Sequence, residues 1–148
     1  VGLHWPLVSS RGLELRLNLP DDLPDVWADR SRLLQVFDNL LGNAVKFTRP
    51  GGYITIGAET QETTVLFWVA DTGAGIPREH QPHLFDRFWQ ARPAGRTGAG
   101  LGLPIVKGIV EAHGGRIWAK ANVPRGMVFS FTLPASDKAE LGEVKTIS

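Results

Sequence analysis

Hydrophobic and polar residues alternate or recur at regular spacing over most of the chain, and the periods predict its elements. Leu13, Leu15, Leu17 and Leu19 are separated by Glu14, Arg16 and Asn18, the period of a half-buried strand. Residues 53–59 and 63–70 read as consecutive strands joined by a short polar connection, and so as a hairpin. A last hairpin is expected over residues 116–122 and 126–133 around Val123, Pro124 and Arg125, with Met127, Phe129, Phe131 and Leu133 on one face. Asp25, Val26, Trp27 and Ala28 suit a short strand. A helix capped by Asp29 or Ser31 buries Leu33, Phe37, Leu40, Leu41, Ala44 and Phe47. A second helix is predicted over residues 103–113, with Pro104 accepted in its first turn and Gly114 and Gly115 ending it. His113 then caps that helix and meets its dipole. This mixed order of strands and helices predicts an α+β fold, a two-layer sandwich in which a mixed, mainly antiparallel sheet carries helices on one face.

Two features exceed what packing requires. Gln35, Asn39, Asn43 and Lys46 line up along one side of the first helix. Such a stripe is commonly a solvated face, yet asparagine is a poor helix former and two stacked beside a lysine call for a reason. Asn43 is suited to give an oxygen to a hard cation and Lys46 to reach a phosphate; magnesium prefers oxygen ligands and is held partly by the phosphates of its nucleotide. The second feature is the stretch from Asp71 to Leu103. Asp71 ends the apolar run from Val65 to Ala70, so its carboxylate is an acceptor at the end of a buried strand, suited to an exocyclic amine. Gly73 and Gly75 follow it. Gly98, Gly100 and Gly102 alternate just before the second helix, where free N–H groups favour phosphate. The stretch therefore reads as a lid with base recognition at one end and phosphate recognition at the other.

Composition narrows the classes. A chain of 148 residues is one ordinary domain, and 43% hydrophobic with 21% charged residues is globular. A net charge of +1 gives no basic stripe for nucleic acid, and the absence of cysteine excludes disulfides and thiolate zinc sites and is compatible with the cytoplasm. No apolar run reaches the length of a membrane span. There is no Walker-type loop, and Gly98, Gly100 and Gly102 miss the dinucleotide fingerprint. His80 and His83 are interrupted by Pro82 and have no third ligand nearby. Trp118 alternates out of phase with Ile117, Ala119 and Ala121; if it shares the outer sheet face with Trp68, the pair would mark an interdomain or a crystal contact.

Four motifs stand in order: Asn39 to Thr48, with Asn39, Asn43 and Lys46; Asp71, Gly73, Gly75 and Ile76; Phe85, Asp86, Arg87 and Phe88; and Gly98, Gly100, Leu101, Gly102 and Leu103. Together they resemble the N, G1, F and G2 boxes of the ATP-binding catalytic domain of bacterial sensor histidine kinases, within the superfamily that includes type II topoisomerases, the heat-shock 90 chaperones and mismatch-repair ATPases. The resemblance covers residues 13–133. It implies that Asp71 accepts from the adenine amine, that Asn43 holds Mg2+ with Asn39 beside it, and that Lys46 contacts phosphate. It further implies that Gly73, Gly75 and Ile76 shape the adenine pocket, and that Gly98, Gly100, Leu101, Gly102 and Leu103 form the phosphate end. Phe85 and Phe88 would anchor the lid, and Arg87, Arg92 and Arg96 would neutralise the transferring phosphoryl group.

ATP-hydrolysing relatives carry glutamate where Asn39 stands, and an amide cannot take a proton from water. The resemblance thus implies transfer to a histidine rather than hydrolysis. None of His4, His80, His83 or His113 has the helical, acid-flanked setting of the family's phosphoacceptor. The expected organisation is a connector over residues 1–11, the catalytic domain over 12–134 and a polar tail over 135–148. The expected partners are a separate dimerisation domain bearing the histidine and a response-regulator receiver domain, with no nucleic acid and no membrane contact by this domain. The competing readings are a degenerate nucleotide- or protein-binding module and a gyrase-like ATPase, the latter disfavoured by Asn39.

Overall fold

The computed structural model describes residues 12–26, 28–86 and 102–135. Strand β1 (Glu14–Asn18) is followed by helix α1 (Arg30–Phe47), strands β2 (Tyr53–Thr60) and β3 (Thr64–Asp71), and a short 3₁₀ helix (Arg78–His83). Helix α2 (Leu103–Ala112) and strands β4 (Ile117–Ala121) and β5 (Met127–Pro134) complete the order. The strands form one sheet in the order β1-β2-β3-β5-β4. Only β1 and β2 run parallel; the other pairs are antiparallel, so the sheet is mixed and mainly antiparallel as the pattern predicts.

Side-chain alternation along β3 explains the layering. Val65, Phe67, Val69 and Asp71 are buried beneath the helices, while Leu66, Trp68 and Ala70 face the other way and are half-buried. Phe37 of α1 sits edge-on to Phe67 and Phe131, with ring centroids 5.6 and 5.3 Å away, and those two rings stack across the β3–β5 pair at 5.2 Å. Offset and edge-on contacts of this kind add to the area that the rings bury. Helix α2 contributes Leu103, Val106 and Val110 to the same core. Leu133 of β5 lies between both helices, near Leu33 and Val36 of α1 and Ile109 and Val110 of α2.

The helix ends are tied to one another. Asp29 caps α1 by accepting from the Arg32 N–H. The Asp29 N–H donates to His113 Nε2 at 3.0 Å, and His113 Nδ1 lies 2.7 Å from the Ile109 carbonyl. Because Nε2 accepts, Nδ1 carries the proton and donates to Ile109. His113 therefore caps α2, as expected, and also fastens its end to the start of α1.

Three expectations are corrected. Phe47, expected in the core, is 37% exposed, because it is the last helical residue; Val36 and Val45 are buried instead. Leu17 is 57% exposed, since it lies on an edge strand at the margin of the sheet, while Leu15 and Leu19 on either side pack partly against the core. The expected strand at Asp25 to Ala28 is a single bridge between Val26 and Ala135. Ala135 also donates its N–H to the Thr63 carbonyl, so it remains part of the sheet's margin. The register sets both Trp68 and Trp118 opposite Ser130, and they share the outer face. Among the described residues no helix is long and apolar enough to cross a membrane.

The aromatic cluster makes a direct prediction. Replacing Phe37 with alanine should cost about 3–5 kcal/mol in urea unfolding, whereas Leu17→Ala should stay within about 0.5 kcal/mol. Equal losses at the two positions would show that the cluster is not the core contact that fixes α1.

Candidate functional site

The site begins where β3 leaves the sheet. Asp71 is the last residue of the strand and is only 5% exposed. Its Oδ1 accepts the Gly73 N–H at 2.8 Å and the Met127 N–H at 3.3 Å. Among the described residues these are its side chain's hydrogen bonds, so Oδ2 keeps its capacity to accept from a ligand. Burial raises the Asp71 pKa above its ordinary value near 3.8, and the two backbone donors offset part of that rise.

The loop after Asp71 is packed on backbone. A Cβ at Gly73 would stand 2.2 Å from the Phe47 carbonyl oxygen, so only glycine fits against the end of α1. Thr72 Oγ1 accepts the Tyr53 N–H at 3.1 Å, which fastens the loop to the start of β2. Gly75 lies beside Gly126. Ile76 packs on the core, and its carbonyl accepts from Gln81 Nε2 at 2.9 Å. Phe85 meets the edge of Phe129 with centroids 6.3 Å apart.

The polar stripe of α1 faces the start of α2. Gly102 is the N-cap of α2 with φ +79°, and a Cβ there would stand 2.8 Å from Asn39 Nδ2. Gly102 brings no capping side chain, so the first-turn N–H groups keep their attraction for an anion. Asn43 is buried at 7% exposure, which a merely solvated stripe would not produce. Lys46 is exposed in the last turn of α1, next to the Phe47 carbonyl that packs on Gly73.

Residues 28–137 match the profile of the histidine kinase-, DNA gyrase B-, and HSP90-like ATPases. The chain belongs to this family. Within it, the likeness is to sensor histidine kinases. The chain is 44% identical over 127 residues to the adaptive-response sensory kinase SasA of Parasynechococcus marenigrum (strain WH8102), covering 84% of this chain and 33% of that protein. It is 37% identical over 142 residues to the sensor histidine kinase WalK of Bacillus subtilis (strain 168), covering 93% of this chain and 23% of that protein. It therefore spans a third or less of the length of these two relatives. Among solved structures, the catalytic domain of histidine kinase ThkA superposes with a TM-score of 0.79 at 34% identity, over 90% of this chain and 86% of that one. Full-length ShkA in complex with AMPPNP superposes at 0.78 with 35% identity, over 90% of this chain and 28% of that one. The protein is thus an ATP-binding catalytic domain of the sensor histidine kinase type.

In this kinase domain the structure joins Asp71, Gly73 and Gly75 in one loop and sets Asn39 against Gly102. The side chain of Leu103 is 2% exposed in the core, so its backbone alone is available to a ligand. Arg87, Phe88, Arg92, Arg96, Gly98, Gly100 and Leu101 lie outside the described residues. The sequence pattern marks Asn122 only as a strand end, residues 123–125 as a hairpin connection and residues 126 and 127 as a strand start, yet Met127 bonds the Asp71 carboxylate. A Cβ at Gly126 would stand 2.0 Å from the Asp71 carbonyl oxygen, which is what admits the turn so close.

The raised Asp71 pKa predicts a pH-dependent stability difference. Between its ordinary pKa and the raised folded one, the folded state holds a proton that the unfolded chain has lost, so this group's contribution falls as pH rises. Asp71→Asn keeps an oxygen for both backbone donors and removes that titration. Urea unfolding should therefore show the variant gaining on the native chain as pH rises from the ordinary carboxylate range, and levelling off above the folded pKa. A difference that shrinks over the same window would contradict burial of the charged form.

Proposed function

We propose that this domain binds an adenine nucleotide with its base at Asp71, and transfers the terminal phosphoryl group to a histidine on a separate dimerisation domain. The observation that carries the proposal is the Asp71 carboxylate, buried at the end of β3 with Oδ1 held by two backbone N–H groups. A carboxylate spends burial energy best where a ligand donor meets it. Oδ2 accepts from a 6-amino group and meets a 6-oxo group acceptor to acceptor, so the site favours adenine over guanine.

The phosphates belong at the other end. Lys46 supplies charge from the end of α1, and the uncapped first turn of α2 supplies N–H groups beside Asn39. Neither asparagine accepts a proton at neutral pH, so the described part of the site has no base beside α1 to activate water. That favours holding ATP for transfer rather than hydrolysing it. The residues also fit Mg2+. Among the described residues no group of three or more His, Cys, Asp or Glu forms a metal cage, whereas Asn43 offers a buried amide oxygen, the donor type suited to an ion held mainly by nucleotide phosphates. When bound, the ion neutralises phosphate charge.

The whole protein's roles follow as part of the same proposal. The chain spans a third or less of SasA and WalK, and the acceptor histidine belongs to a further domain of the dimerisation type. ThkA has been solved in complex with the response regulator protein TrrA, which supports a receiver domain as the next acceptor here.

Calorimetry with a non-hydrolysable ATP analogue and magnesium tests the base assignment. In Asp71→Asn an N–H faces the adenine amine, and affinity should fall about 10- to 100-fold, the equivalent of about 1–3 kcal/mol for a buried group left unmatched. Native affinity should weaken on acidification through the raised Asp71 titration, since the protonated acid loses its acceptor pair, while the variant should show no such dependence. Equal binding by both proteins would place the base elsewhere.

Phosphoryl transfer is read with a purified dimerisation domain of this protein type and labelled ATP. Label should appear on the added domain and not on this chain alone; steady hydrolysis by the chain alone would favour a gyrase-like ATPase.

A further inference from the structure

The turn between β4 and β5 fastens the base-recognition loop at three points. Asn122 Nδ2 donates to the Asp71 carbonyl at 2.8 Å, Arg125 Nε donates to the Gly73 carbonyl at 3.1 Å, and the Met127 N–H donates to Asp71 Oδ1 at 3.3 Å. The paired register of β3 and β5 ends at Ala70 opposite Val128. One residue farther on, a side-chain amide takes the place of a strand N–H. Asn122 is itself held: its N–H donates to the Gly126 carbonyl and its Oδ1 accepts the Val123 N–H, both at 2.9 Å. Its Nδ2 is thereby aimed at Asp71 and not left to rotate.

We propose that Asn122 and Arg125 are positioning residues that set how sharply the site discriminates between purine bases. The inference rests on the reading of Asp71 as the base acceptor. Discrimination between a 6-amino and a 6-oxo group depends on where Oδ2 lies, because a misplaced acceptor neither rewards the amine nor repels the carbonyl. The carboxylate hangs from main chain whose carbonyls at Asp71 and Gly73 are the two groups that Asn122 and Arg125 hold. Met127 fixes Oδ1 from the same turn. The turn and the loop are far apart in sequence, so no local constraint substitutes for these bonds. Asn122 and Arg125 act through the main chain of the loop and not on the ligand.

Asn122→Asp keeps the side chain's size and its acceptor for Val123, but turns an oxygen toward the Asp71 carbonyl. Arg125→Gln releases the Gly73 carbonyl from an exposed position that tolerates change. Each variant and the native chain are titrated with a non-hydrolysable ATP analogue and with its inosine counterpart, which carries a 6-oxo group, at fixed pH and magnesium. The native chain should prefer the adenine form. In Asn122→Asp its affinity for that form should fall about tenfold while the inosine form changes less than about twofold. Arg125→Gln should move the ratio the same way by about threefold, with an unchanged urea midpoint.

Equal losses for both nucleotides, in step with a lowered urea midpoint, would mean that the turn is merely structural and would overturn the inference. So would an unchanged ratio in both variants beside a native chain that prefers adenine. A native chain without that preference would remove the base assignment at Asp71, and the inference with it.

Discussion

A carboxylate withdrawn from water has to be matched by donors, and at Asp71 that requirement shapes everything near it. Among the described residues its two donors are backbone N–H groups, from Gly73 two residues on and from Met127 at the start of β5. To bring them in, the loop must turn against the end of α1 and the β4–β5 turn must come close to the strand end. Both approaches are too tight for a Cβ, at Gly73 against Phe47 and at Gly126 against Asp71. The match is incomplete, since burial still raises the pKa. A fully satisfied carboxylate would fold more comfortably and would have less to offer a ligand. The residual strain on the charge is thus the counterpart of the oxygen left for a donor from outside.

The phosphate end depends on a different force. The contact of Phe37 with Phe67 and Phe131 fixes α1 over the pair β3 and β5. With that stripe of α1 committed to the core, the stripe beside it carries Asn39, Asn43 and Lys46, and its direction follows from helical geometry alone. Core packing of Leu103, Val106 and Val110 sets the start of α2 in the same way, so Gly102 arrives against Asn39. Apolar packing therefore positions the groups proposed for phosphate, and backbone hydrogen bonding positions the one proposed for the base. His113 couples the two helices at their other ends.

Much of this was legible in the sequence because it is periodic. The alternation in β5, the apolar run of β3, the helical spacing of α1, and the proline and glycines bracketing α2 each specify an element locally. Asn43 was legible as an anomaly, a poor helix former in a helix, and its burial is the physical form of that anomaly. What was not legible has no period. The parallel pairing of β1 with β2 depends on a crossover through α1 that leaves no mark on β1's alternation, and Leu17 looked buried because alternation does not say where a partner layer ends. Phe47 kept the stripe's spacing but fell at the helix terminus. Asn122 read as a strand end and Arg125 as an ordinary turn residue, since their partners are more than fifty positions away.

The division between the two ends bears on how such a domain works. Asp71 and its loop are held by contacts within the described fold, on β2, on α1 and on the β4–β5 turn, so the proposed base site needs no partner domain to assemble. Neither Asn39 nor Asn43 supplies a base that would activate water, and on the proposed reading the acceptor for the phosphoryl group comes from a separate domain. Binding and transfer are therefore separable in energy as well as in space. On that reading nucleotide affinity draws on the domain's own hydrogen bonds, whereas the rate of transfer depends on docking of the acceptor. Binding energy that is equal in the loaded and transition states stabilises the loaded state without lowering the barrier from it. For the proposed role, binding of that kind suits a domain that stays loaded until a partner domain presents a histidine.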